Sequence, residues 1–151
     1  MSDASRTVVN HVGLGVTDLD RAQRFYTEVL GFEVDRVLQV PDAGAGPFLG
    51  VDPPVNLTAV YLVRDAFVLE LLHFDRPGNQ PAAERTFTQP GLTHLSFSVD
   101  DLAAALEQVV ALGGEVVTSM GGQAAMVRDP DGQLLELMPM AYHEHLVAGR
   151  G

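Results

Sequence analysis

Apolar and small or polar residues alternate from His11 to Val16. Val12, Leu14 and Val16 point to one side and His11, Gly13 and Gly15 to the other, a period of two that predicts a strand. The period then changes. Leu19, Ala22, Phe25, Tyr26, Val29 and Leu30 recur at helical spacing behind Thr17 or Asp18, either of which can cap a helix, and Gly31 can close it in the left-handed conformation. Strands are predicted over Phe32–Leu38, Leu57–Val63 and Phe67–Phe74, with a turn near Arg64 and Asp65.

The pattern then repeats. Asn10–Leu19 lies over Thr93–Leu102 without a gap, 83 positions apart, so that His11 meets His94, Asp18 meets Asp101 and Leu19 meets Leu102. Val68–Leu72 lies over Leu134–Met138, 66 positions apart, and Glu70 meets Glu136. The second copy predicts a strand over His94–Val99, a helix from Asp101 to Leu112, and short strands at Glu115–Ser119, Ala124–Arg128 and Leu134–Met138. Asp129-Pro130-Asp131-Gly132 is the turn before the last of these. The difference between the two offsets places extra length in the first copy, near Val40–Asn56, which is rich in Pro and Gly and is read as a long loop. The chain thus divides into modules 7–74 and 91–140, a linker 75–90 with three prolines, and a tail 141–151 that frays or forms a short helix.

Composition narrows the chemistry. With no cysteine among 151 residues, disulfides, thiolate nucleophiles and Cys-ligated metal are excluded. All nine basic residues are Arg, so a Schiff-base lysine is excluded as well. A formal charge of −11 opposes nonspecific nucleic-acid binding. No apolar run reaches the ~18 residues of a membrane span, and Met1–Arg6 lacks a signal-peptide core, so a cytoplasmic location is expected.

Strand alternation places His11, Glu70, His94 and Glu136 on the faces turned away from the helices. Their first-strand neighbours there, Gly13, Gly15, Ser96 and Ser98, are small. Two imidazoles and two carboxylates on a dry face are costly unless compensated. One divalent metal ion accepts both donor types and offsets the negative charge. His73 points away from Glu70, which favours packing or exposure, and His143-Glu144-His145 lies outside the repeat and reads as polar tail.

Five segments, Asn10–Leu14, Arg24–Phe32, Leu69–Leu71, Gly91–Phe97 and Asp129–Leu137, resemble the vicinal oxygen chelate superfamily of glyoxalase I, acyl-CoA epimerases, extradiol dioxygenases and bleomycin-resistance proteins. The resemblance covers residues 7–140 as one domain. It implies an α+β fold of two βαβββ modules forming an eight-stranded cup, with His11, Glu70, His94 and Glu136 as metal ligands. Extradiol and fosfomycin-resistance members leave the position of Glu70 unligated, and the epimerase typically has Gln there. Bacterial glyoxalase I has the order His, Glu, His, Glu found here.

The resemblance implies a metal-dependent lyase or isomerase, like lactoylglutathione lyase or an acyl-CoA epimerase, acting on a small molecule with adjacent oxygens. Four protein ligands on an octahedral Ni, Co, Zn, Mn or Fe ion leave two sites for those oxygens. The ion stabilises an enediolate while Glu136 or Glu70 removes and returns a proton. Return to the next carbon is isomerisation, and return to the same carbon is epimerisation. The alternatives are an extradiol-type dioxygenase using two His and one Glu, and a drug- or metabolite-binding protein without turnover. Arg36, Arg64, Arg76, Arg85 and Arg128 are candidates to receive an anion, each weighed against a solvated surface charge. No separate organic cofactor is implied. A homodimer is expected, its modules paired within a chain or exchanged between two.

Overall fold

The computed structural model describes residues 6–149. The first module runs β1 (Val12–Gly15), α1 (Leu19–Leu30), β2 (Glu33–Val40), α2 (Asp42–Leu49), β3 (Leu57–Arg64) and β4 (Phe67–Phe74). The second runs β5 (Leu95–Val99), α3 (Leu102–Ala111), β6 (Glu115–Ser119), β7 (Ala125–Arg128) and β8 (Leu134–Pro139), followed by α4 (Met140–Ala148). Each module forms one four-stranded sheet, with orders β1-β4-β3-β2 and β5-β8-β7-β6. The first strand of each is parallel to the last and the rest are antiparallel. This is the α+β fold of two βαβββ modules that the repeat predicts.

Both module helices start as their sequences require. The Asp18 side chain accepts from the Arg21 amide and that of Asp101 from the Ala104 amide, each satisfying an orphan donor of a first turn. Gly31 ends α1 at φ +67°, a left-handed conformation that costs most L-residues about 1–2 kcal/mol and glycine nothing.

The modules share one core. Ala22, Phe25 and Tyr26 of α1, Leu62 and Leu69 of the first sheet, Ala105 and Val109 of α3, and Leu135 and Leu137 of the second sheet form a single buried cluster. Phe32 and Phe97 meet edge-to-face across the seam, with centroids 5.9 Å apart. Gly114 lies at this junction because only hydrogen fits: a Cβ there would sit 2.6 Å from the Arg128 carbonyl oxygen and 2.9 Å from the Phe25 ring. Each sheet therefore buries its helix-facing side against both modules. The opposite, open sides look elsewhere.

A polar latch closes the same seam. Asp129 is the one buried charged residue among the described residues. Its Oδ1 accepts from the Asp131 and Gln133 amides, and its Oδ2 accepts from Tyr26 Oη at 2.8 Å. Asp131 Oδ1 in turn accepts from the Thr17 amide at 3.1 Å and from the Thr17 hydroxyl. The turn predicted at 129–132 thus also ties the second module to α1. Burial holds the Tyr26 phenol well above its ordinary pKa. It also raises Asp129, against the opposing effect of the phenol's hydrogen bond.

The region 40–56 corrects the sequence expectation of a loop, because Asp42–Leu49 is helical. Gly44, Gly46 and Pro47 disfavour a helix locally, which hides it from propensity. Tertiary contacts override them. The Asp42 carboxylate accepts from the Val55 and Asn56 amides, both at 3.2 Å. Ala45 packs on buried Val55 and Leu57, with Val40, Leu72 and Phe74 around them. This small cluster caps one end of the first sheet's open side.

The tail forms α4, an outcome the sequence reading allowed. His143, Glu144 and His145 are exposed on it. His73 is half-buried, its Nδ1 3.2 Å from the Val16 carbonyl oxygen, which is the packing role expected of it. Among the described residues no helix is long and apolar enough to cross a membrane.

Candidate metal centre

Parallel pairing of the first and last strand of each module brings histidine and glutamate together. In the first module Gly13 stands opposite Glu70, so His11 reaches the carboxylate from the strand's start. Its Nε2 lies 3.0 Å from Glu70 Oε2. In the second, Ser96 stands opposite Glu136, and His94 Nε2 lies 3.8 Å from Glu136 Oε2. Both pairs occupy open sheet sides and keep some solvent contact, with side-chain exposures of 33% and 13%, then 30% and 30%.

The outer nitrogens are also matched. His11 Nδ1 donates to the Asn10 side-chain oxygen at 2.8 Å, and His94 Nδ1 lies 2.9 Å from the Thr93 hydroxyl. In each case the residue just before the histidine fixes the ring and turns Nε2 toward the carboxylate, the usual division of labour in a metal-ligating imidazole. Sequence reading passed over Asn10 and Thr93. Their signal was present, since they are themselves repeat-equivalent polar positions.

The two glutamates differ. Glu70 is the more enclosed and lies against the Tyr61 phenol, whose pKa is raised by hydrogen bonding to that carboxylate and by partial burial. Glu136 is more exposed and accepts from the Ser96 hydroxyl at 2.6 Å. Small residues leave both carboxylates open. A Cβ on Gly13 would lie 3.8 Å from Glu70 Oε2 and 3.4 Å from Leu72 Cδ1, so any longer side chain would cover the oxygen.

Donor chemistry and spacing suit a divalent ion. Two ligands at right angles on bonds of about 2.1 Å stand about 3.0 Å apart, and His11 with Glu70 has that separation. Yet each pair supplies only two donors, and the pairs remain separate in the chain. Among the described residues no three His, Cys, Asp or Glu come together in a way that could hold an ion. A cavity of about 810 Å³ lies between linker residues 79–85 and the 129–134 turn, and none of the four candidate ligands lines it.

Residues 8–137 match the model of the Glyoxalase/Bleomycin resistance protein/Dioxygenase superfamily, and the chain belongs to that family. A probable chloroplastic lactoylglutathione lyase of Arabidopsis thaliana is 32% identical over 135 residues, which is 85% of this chain and 34% of that relative. The chain spans 34% to 43% of the length of the plant relatives it matches. A lactoylglutathione lyase of Pseudomonas putida is 31% identical over 87% of this chain and 84% of its own. Among solved structures, a glyoxalase family protein from Bacillus cereus superposes with a TM-score of 0.74 at 21% identity, over 92% of this chain and 97% of that one. That likeness shows the fold alone.

Proposed function

We propose that this protein is a metal-dependent lyase, isomerase or epimerase that moves a proton at the carbon beside a carbonyl, in a small molecule with two adjacent oxygens. The observation that carries this reading is the pair of repeat-related His–Glu half-sites on open sheet sides. Relatives named lactoylglutathione lyase at about 30% identity support it. The position of Glu70, 3.0 Å from His11, favours a four-donor set over the three-donor set of a dioxygenase.

His11, Glu70, His94 and Glu136 would hold the ion. When bound, it supplies Lewis-acid chemistry that lowers the cost of negative charge on a carbonyl oxygen. Asn10 and Thr93 keep the imidazoles oriented. Glu136 is the better placed proton carrier, because it is the more exposed carboxylate and stands further from its histidine. The Ser96 hydroxyl steadies it as its charge changes. Glu70, wedged between His11 and Tyr61, holds position.

The separation of the half-sites favours exchange between chains. A first module from one protomer facing a second module from its partner would assemble all four donors, twice per homodimer. Metal analysis after reconstitution tests the core of the proposal. One Ni, Co, Zn, Mn or Fe ion per chain is expected, lost in His94→Ala, while Glu136→Gln stops incorporation of solvent deuterium beside the substrate carbonyl. Metal retention indifferent to His11, Glu70 and His94 would overturn it.

A further inference from the structure

Along β2, Glu33 pairs with Val63 and Val34 with Leu62, and the register then jumps so that Arg36 pairs with Tyr61. Asp35 is the extra residue of a β-bulge. Strict alternation would have turned Arg36 to the same side as Val34, toward the helices, whereas the bulge sends it to the open side. There it joins a row running across all four strands, Arg36 beside Tyr61, Tyr61 beside Glu70 and Glu70 beside Gly13.

The side chains follow the row. The Arg36 guanidinium carbon lies 5.3 Å from the centre of the Tyr61 ring, and that ring meets His11 edge-on at 5.7 Å. Arg36 Nε donates to Asp35 Oδ2 at 2.8 Å. Its two terminal nitrogens have no hydrogen-bond partner among the described residues. A cavity of about 440 Å³ opens here, lined by Asn10, Arg36, Leu38, Tyr61 and Val63 among others.

The second module shows what the fold alone requires. β6 carries the same kind of bulge, between Val116 and Thr118, and its equivalent row is Thr118, Met126, Glu136 and Ser96. The register is shared, but the cation and the aromatic shelf are found only beside Glu70. Stability gives little reason for them, since an exposed Arg–Asp pair contributes next to nothing.

We infer that Arg36, presented on Tyr61 by the β2 bulge, is the receptor for a carboxylate carried by the substrate away from its two chelating oxygens. This rests on the metal-centre reading of the preceding subsection. Adjacent strands are about 4.8 Å apart, so Arg36 stands roughly 10 Å from Glu70 at the backbone. A guanidinium reaching back along the row meets an anion three or four bonds from the chelating end. Asp35 tempers the attraction, and its grip on Nε leaves the two-pronged end of the guanidinium free for a carboxylate.

Calorimetric titration of the metal-loaded protein with 2-oxopentanedioate and with 2-oxopentanoate tests this. Both acids present the same adjacent oxygens, and only the first has a distal carboxylate. A chain of charge −11 should disfavour the dianion unless a local cation receives it. The expected result is about tenfold tighter binding of the dianion. Arg36→Gln should equalise the two acids without changing affinity for the monoacid, and Asp35→Asn should widen the preference. Equal binding in the parent protein, binding of neither acid, or a preference that survives Arg36→Gln overturns the inference. Metal is counted on the same samples. Protein that retains none refutes the metal centre separately, and glutarate against pentanoate on that protein, with the same variants, then decides the role of Arg36.

Discussion

The arrangement of the half-sites predicts complementation between two defective chains. Let one variant carry His11→Ala and Glu70→Gln, and another His94→Ala and Glu136→Gln. If sites form between chains, every site in either homodimer has only one intact pair. Loss of an outer-sphere partner alone weakens metal binding by about 10–100-fold, so loss of two direct ligands should abolish stoichiometric binding. A heterodimer is different. One of its sites combines both damaged modules, and the other combines both intact ones. Random re-association gives homodimers and heterodimers in equal total number, so about a quarter of the parent metal content should return. The assay is metal stoichiometry after co-refolding the variants at equal concentration and removing free ion. Each variant refolded alone is the baseline, and circular dichroism confirms that both fold. The core supports folding of both, because the four substituted residues lie outside the buried cluster. Pairing of modules within one chain would leave the mixture as empty as its parents, and that result would refute exchange between chains.

Three further outcomes follow from the seam and the strand edges. Tyr26→Phe removes the phenol that donates to buried Asp129 and should cost about 1.5–3 kcal/mol, a fall in Tm of roughly 3–12 °C at fixed protein concentration. Additive effects of Tyr26→Phe and Asp129→Asn in a double-mutant cycle would contradict that contact. Because burial raises Asp129 in the folded chain, its contribution is full below the ordinary carboxylate value and is lost as pH rises through the raised one. The stability difference between parent and Asp129→Asn should therefore fall with rising pH over that window in denaturant titrations, and a difference that grows would reverse the assignment. Gly13→Leu should lower metal retention without lowering Tm, since the added side chain lies over Glu70 from an exposed position of β1, and unchanged retention would show that the carboxylate is not blocked.

Much of this protein is legible before any coordinates. The two periods in each copy set the strands and helices, Asp18 and Asp101 mark the helix starts, and the two offsets align His11 with His94 and Glu70 with Glu136. These are local or repeat-borne signals, and side-chain alternation is enough to assign each candidate ligand to its sheet face. The fit of His11 to Glu70 follows from strand pairing within one module.

Other features depend on contacts that no local pattern encodes. The helix at Asp42–Leu49 persists against its glycines and proline because Asp42 and Ala45 find partners around Val55. Tyr26 meets Asp129 across 103 positions, which turns an aromatic core residue into half of a latch. Arg36 changes sides through one inserted residue, visible only once β2 is paired with β3. The clearest division concerns the four candidate ligands. The sequence by itself singled out these four residues as candidates and placed each on a sheet face turned away from a helix. The tertiary structure decided that they stand as two pairs, because burying α1, α3 and both helix-facing sheet sides in a single core directs the open sides apart.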